Sequence, residues 1–356
     1  MKKQMVIVFG LSITLYALWI FNYSYLKSTT FESNGIPVVN VVKKEANKEI
    51  SCYFDPSTIY SIETFNEKEE ITDDNNIFFI ETSCSGAAGI ELDARQCCSI
   101  ESAAKMNPKM RIYLLILSPS EYSPRTEELL SNLEEYKNIV VRRIDMEDYV
   151  KNTPLADWWQ NGELTTSKWP KHHMSDVLRY LTLWKVPGIY MDLDVVTLSS
   201  FEKLRDFVGA EDEDTIASCV MSFGGSKIGR EVADACINDL KNNFRGDVWR
   251  NNGPDVITRA LEQICGKAIT NETHSCNGFT VFSPWEFTPI YYDDWTKYFE
   301  AENKDETLKL INKSLAVHIW NKMSHLQPVK VGSQVPYGII ASQFCPKIYN
   351  NCGPWF

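Results

Sequence analysis

The segment Gly188-Ile-Tyr-Met-Asp-Leu-Asp-Val-Val196 decides how the chain is read. It is apolar enough to be a strand buried on both faces, yet it carries two aspartates two positions apart. In an extended segment positions i and i+2 face one way, so Asp192 and Asp194 are expected to converge on one point. Neighbouring carboxylates raise each other's pKa unless a cation lies between them. A hard divalent ion that also accepts phosphate oxygens, Mn²⁺ or Mg²⁺, resolves that repulsion. A bare D-x-D also marks exposed strand-end aspartates in unrelated proteins, so the surroundings must carry the weight.

Upstream, Asn76–Glu81, Met110–Leu117 and Ile139–Ile144 read as further strands. Helical periodicity covers Glu91–Met106, Pro124–Tyr136 and Met174–Trp184 between them. This alternation predicts an α/β fold with a mainly parallel sheet and helices on both faces. Ligands in such folds sit beyond the carboxyl ends of the strands, which is where Asp192 and Asp194 fall. Asp176 and Arg179 are i, i+3 neighbours on the helix leading into that strand. On a surface such a pair is worth little; beside a metal it would bind sugar hydroxyls.

Downstream, Ala316-Val-His-Ile-Trp-Asn-Lys322 is expected to form a strand that aligns His318 with Trp320 and Lys322 on one face. That face would close a metal–diphosphate site. Asn251-Asn-Gly-Pro-Asp255 reads as a turn and helix start with Pro254 near N1, and also as a source of groups, Asn252 and Asp255, near a reacting centre.

The N-terminus sets the expected topology. Met1-Lys2-Lys3 precedes an uncharged run, Gln4–Leu26, that as a helix is about 35 Å long and would cross a bilayer of about 30 Å. The reading is a cytoplasmic tail over 1–4, a signal anchor over 5–26, a stem over 27–74 and a lumenal domain over 75–356. A cleaved signal peptide is the competing reading, weaker because the apolar run exceeds a typical h-region and no small-x-small site closes it. Sequons at Asn271 and Asn312 suit a lumenal location. So do ten cysteines, of which Cys84 with Cys97 or Cys98, Cys265 with Cys276, and Cys345 with Cys352 are near enough in sequence to pair. Thirty-six basic against 47 acidic residues give a net charge of −11, which argues against a nucleic-acid partner.

Taken in order, Ser175-Asp-x-x-Arg179, Gly188-Ile-Tyr-Met-Asp-x-Asp194, Asn252-Gly-Pro254 and Val317-His-x-Trp-Asn-Lys322 resemble the alpha-1,4-galactosyltransferase/alpha-1,4-N-acetylglucosaminyltransferase family. Phe78-Phe-Ile-Glu-Thr82 and Pro284-Trp-Glu-Phe-x-Pro289 extend the likeness over about residues 76 to 347. The resemblance implies a Golgi type II membrane enzyme with a GT-A fold. It would use Mn²⁺ (or Mg²⁺) and UDP-galactose or a UDP-N-acetylhexosamine, and transfer with retention onto a glycolipid acceptor. It implies that Asp192 and Asp194 hold the metal, with His318 as a third ligand. Lys322 and Trp320 would lie against the donor, and Glu81, Thr82 and Ser83 would meet the uridine. Asp176 and Arg179 would bind the donor sugar, with Asn252 and Asp255 near the reacting face.

Two departures from the family pattern stand out. Pro187-Gly188 replaces Gly-Gly, and Ser218-Cys219 stands where Asn-Gly is usual. Two rival readings accompany the resemblance. One is a haloacid-dehalogenase-like phosphatase built on Met191–Thr197, and the other a non-catalytic sugar-nucleotide-binding relative.

Overall fold

The structure, a computed structural model, describes residues 48–54, 62–84, 89–212, 214–270 and 273–356. The tail, the anchor, much of the stem and the Asn271 sequon lie outside them. Among the described residues no helix is long and apolar enough to cross a membrane.

An eight-stranded sheet runs in the order β3-β2-β1-β4-β7-β6-β9-β8. Its strands are β1 (Asn76–Glu81), β2 (Arg111–Ile116), β3 (Ile139–Arg143), β4 (Gly188–Met191), β6 (Phe207–Ala210), β7 (Ile216–Phe223), β8 (Ser275–Cys276) and β9 (Phe279–Phe282). Strands β5 (Val195–Thr197) and β10 (Ala316–His318) pair in a small sheet of their own. The expected parallel arrangement holds for β3, β2, β1 and β4. The second half is mixed, because β7 runs antiparallel to both β4 and β6. Residues 211–215 join β6 to β7, far too few for the crossover that parallel neighbours require. Since β7 opposes both, β4 and β6 point the same way and their carboxyl ends share one edge.

The principal helices are α1 (Ala94–Met106), α2 (Pro124–Ser131), α3 (Pro170–Lys185), α4 (Lys227–Asn243), α5 (Pro254–Cys265), α6 (Pro336–Phe344) and α7 (Pro346–Asn351). Strand alternation splits the core between the two faces. Ile77 and Phe79 pack with Ile100 of α1 and Ile340 of α6, whereas Phe78 and Ile80 pack with Val177 of α3, Ile237 of α4 and Ile257 of α5. Helix α1 starts later than its periodicity suggests, because Asp93 and Gln96 form a reciprocal capping box at its first turn. Helix α2 stops at Ser131 rather than reaching Tyr136.

Three disulfides join Cys52–Cys84, Cys98–Cys345 and Cys265–Cys276. Only the last was among the expected pairings. Consecutive residues on a helix point about 100° apart, so Cys98 meets Cys345 while Cys97 is buried as a free thiol. Cys84 is taken by Cys52, from the segment assigned to the stem. Ile50, Tyr53, Ile62 and Phe65 from that segment are buried too. Part of what composition marks as spacer therefore packs into the domain.

Candidate active site

Helix α3 delivers its charged pair to the carboxyl end of β4, and there the expected strand breaks. Its pairing with β7 ends at Met191↔Val220, after which the Asp192 N–H donates to the Cys219 carbonyl (2.9 Å) and Val195 N–H to the Asp192 carbonyl (3.1 Å). The two aspartates thus converge by a tight turn rather than by strand alternation, and the chain resumes as β5. Because β10 lies against β5 with His318 opposite Val195, the histidine arrives at the same turn. One ligand atom from each of Asp192, Asp194 and His318 falls within 4.8 Å of the others.

Asp194 is wrapped by the β10 segment. His318 Nε2 stands 3.1 Å from its Oδ1, Asn321 N–H donates to its Oδ2 (2.7 Å), and Ile319 N–H donates to its carbonyl (2.9 Å). Burial pushes the Asp194 carboxyl up, but His318 and the Asn321 N–H outweigh it and leave it below the usual carboxylate range. Burial pulls the imidazole down, yet Asp194 beside it holds it well above its ordinary value. Its Nδ1 is buried without a hydrogen-bond partner. Burial also raises the neighbouring Cys219 thiol, against the pull of His318.

Asp192 faces a different wall. Tyr190 OH donates to its Oδ1 at 2.6 Å, and Arg179 Nη1 stands 3.2 Å from the same atom. The guanidinium also donates to the Ser218 carbonyl (2.7 Å), lies 4.7 Å above the Tyr190 ring and pairs through Nη2 with Asp176 Oδ1 (3.1 Å). Burial pushes the Asp192 carboxyl up in spite of Arg179, and burial likewise carries Asp176 up to about 7. With so many protein partners, Arg179 holds Asp192 in place.

The segment Asn252-Gly-Pro254 packs against this wall. A Cβ on Gly253 would lie 2.6 Å from Asp176 Oδ1, so only glycine permits the approach. Asn252 is fully buried and spent on a loop: its Oδ1 accepts from Arg245 N–H (2.9 Å) and its Nδ2 donates to the Arg245 carbonyl (2.8 Å). Asp255 pairs with Arg250 at 2.9 Å. The geometry does not bring either side chain into the metal-ligand cluster.

The expected alignment of His318, Trp320 and Lys322 also fails, since β10 ends at His318 and Trp320 adopts a left-handed conformation (φ 56°). Its ring stays 4.0 Å from the His318 ring, while Lys322 Nζ swings to 4.8 Å above the Trp249 ring. At the end of β1, Glu81 accepts from Ser83 N–H (2.6 Å) and Gln96 Nε2 (2.7 Å), and Thr82 Oγ1 donates to the Lys171 carbonyl (3.1 Å). Those three residues form a braced edge next to α3.

Several contributors escaped the sequence reading. Tyr190 had a usable signal, being two positions before Asp192 in a strand. The departure Ser218-Cys219 was visible, but not its place against Arg179 and His318. Trp249 carries no pattern at all.

An acidic turn of this kind, at the carboxyl end of a strand, suits a divalent metal and a nucleotide-sugar donor. Residues 93–213 match the glycosyltransferase sugar-binding region containing the DXD motif, and residues 225–352 match the alpha 1,4-glycosyltransferase conserved region. In both regions the chain is similar to the alpha-1,4-galactosyltransferases and alpha-1,4-N-acetylglucosaminyltransferases. The lactosylceramide 4-alpha-galactosyltransferase of Mus musculus is 29% identical over 273 residues, covering 76% of this chain and 74% of its own. The Homo sapiens enzyme of that name is also 29% identical, over 76% of this chain and 75% of its own. The alpha-1,4-N-acetylglucosaminyltransferase of Homo sapiens is 26% identical over 71% of this chain and 75% of its own. These matches support a glycosyltransferase and give the dehalogenase-like phosphatase reading no support.

Proposed function

We propose that the protein moves galactose or an N-acetylhexosamine from a UDP-sugar, with retention and in alpha-1,4 linkage, onto a glycolipid. In this reading residues 5–26 anchor it as a type II Golgi membrane protein and the GT-A domain is lumenal; Asn312, exposed on its loop, suits glycosylation there. The observation that carries the reading is the convergence of Asp192, Asp194 and His318 beside a buried arginine at the carboxyl end of β4.

Two carboxylates and an imidazole fit a divalent ion, and the imidazole favours Mn²⁺ over Mg²⁺. That ion, when bound, offsets the charge that gathers on the diphosphate as UDP leaves. Arg179 fixes the Asp192 carboxylate, sparing the site reorganisation during reaction. Asp176 lies where donor-sugar hydroxyls would meet it, and Lys322 is the cation nearest in sequence to the ligand histidine for a phosphate. The braced end of β1, residues Glu81 to Ser83, borders the uridine side. The acceptor hydroxyl attacks on the face from which UDP departs.

The test is incubation of the detergent-solubilised full chain with a panel of UDP-sugars and Mn²⁺, with and without glycolipids. UDP release that rises with a glycolipid, and an α-linked product by NMR, support the reading. Absence of UDP release with every donor contradicts it.

A further inference from the structure

Beyond the donor site, one half-buried carboxylate stands on the same edge of the sheet with nothing to hold. Glu211 follows directly on Ala210, the last residue of β6, and β6 points the same way as β4. Two hydrogen bonds tie this strand end to the cation cluster. Thr288 Oγ1 donates to the Ala210 carbonyl (3.4 Å), and His318 N–H donates to the Phe287 carbonyl (3.1 Å). Gly209 allows that closeness, since a Cβ there would lie 2.5 Å from Phe287 Cδ2. The backbone of Glu211 is fixed, with its N–H donating to the Thr215 carbonyl at 2.8 Å. Its carboxylate makes no hydrogen bond or ion pair among the described residues. Burial raises that carboxyl, and His318 is the foremost group opposing the rise. A partly desolvated carboxylate without a donor is costly unless a ligand supplies one.

An aromatic wall stands beside it. The Trp320 ring, 4.0 Å from His318, is pinned by Nε1 donating to the Ile290 carbonyl (2.8 Å). Tyr292 meets Trp320 edge-on at 6.2 Å and remains 39% exposed. Tyr291 lies against Tyr292 with ring centroids 4.3 Å apart and planes tilted by 47°, and the Tyr292 hydroxyl, burial and the nearby Asp212 and Glu211 carboxylates push the Tyr291 phenol up. The wall therefore runs from a metal ligand outward to solvent. A flat aromatic face beside an acceptor-only carboxylate suits a pyranose, which has an apolar C–H face and a rim of hydroxyl donors. The flank proposed above for the donor is a different one: Trp249 packs against His172 (4.9 Å) of α3, and α3 is tied to β1 through Lys171 and Thr82.

We infer that the acceptor sugar docks at the carboxyl end of β6, on the Tyr292–Trp320 wall, with Glu211 accepting a hydrogen bond from one of its hydroxyls. This rests on the glycosyltransfer reading above. The experiment measures steady-state transfer by the full chain and its Glu211→Gln and Tyr292→Ala variants, varying glycolipid acceptor and UDP-sugar independently. The acceptor KM should rise at least tenfold in each variant, with the donor KM within twofold of wild type and kcat at saturating acceptor reduced less than threefold. An unchanged acceptor KM in an active protein removes the subsite alone. So does a collapse of kcat with acceptor KM unaltered, which would put Glu211 in the bond-breaking step. A wild-type chain that releases no UDP from any donor removes the parent reading and the subsite together.

Discussion

The two aspartates of the turn sit in contrasting surroundings, although one residue separates them. Asp192 faces a finished wall: a guanidinium that is always charged, a tyrosine hydroxyl and the Ser218 carbonyl, all linked through Arg179. Asp194 faces a titratable imidazole whose far nitrogen is unpartnered, carried on a segment turned by a left-handed tryptophan. One side is preorganised whether or not a ligand is present. On the other, a proton on His318 balances a charge that a divalent ion would balance instead. Stability is thus concentrated on the Asp192 side and ligand response on the Asp194 side.

The sharpest way to break this contrast is Arg179→Met. Removing one partner of a buried ion pair leaves Asp192 and Asp176 as uncompensated buried carboxylates, at a cost of about 3–5 kcal/mol. Thermal unfolding should register that loss even without metal or nucleotide. A variant with wild-type Tm would mean that Arg179 serves the donor and not the wall.

Gly253→Ala probes the same wall from behind. The added methyl would meet Asp176 Oδ1 at 2.6 Å, an overpacking cost of about 1–3 kcal/mol in denaturant unfolding.

On the other side, the effect of pH should be smaller and of definite sign. His318 is held well above its ordinary value. Its contribution to stability is therefore complete below about 6.5, the unfolded value, and is lost as pH rises through the folded value. The same proton must leave before a metal binds. Mn²⁺ affinity should weaken as pH falls, and isothermal titration in buffers of different ionisation enthalpy should detect proton release on binding. Affinity independent of pH would remove His318 from the ligand set.

How much of this was legible in the sequence varied with how local the cause is. Strand β1 emerged with the bounds its apolar run implies, since an unbroken hydrophobic stretch has few alternatives. The aspartate pair was found, but alternation along a strand was the wrong cause, because where β4 leaves the sheet depends on β7 and β10. His318 was likewise found, whereas the alignment with Trp320 and Lys322 assumed an extended backbone, and nothing in the residue types signals a left-handed tryptophan. The contacts of Arg179 with Ser218 and Tyr190 were hidden, because both partners lie outside its own helix. Sequence proximity misassigned two of three cysteine pairings, since Cys98 finds its partner 247 residues away. Glu211 was invisible: its position depends on Phe287 and Thr288, brought in by a distant loop.

The central claim is that the turn at Asp192 and Asp194 holds a divalent ion that carries the nucleotide. The most direct measurement is calorimetric titration of UDP into the full chain, with and without Mn²⁺, for wild type and for Asp194→Asn. The substitution keeps shape and removes one of few anionic ligands. Wild type should bind UDP far more tightly with Mn²⁺ than without it. Asp194→Asn should stay folded by circular dichroism, lose that dependence, and fall by roughly three orders of magnitude in transfer rate, about 4 kcal/mol. A folded Asp194→Asn protein that still binds UDP in a Mn²⁺-dependent manner would contradict the account.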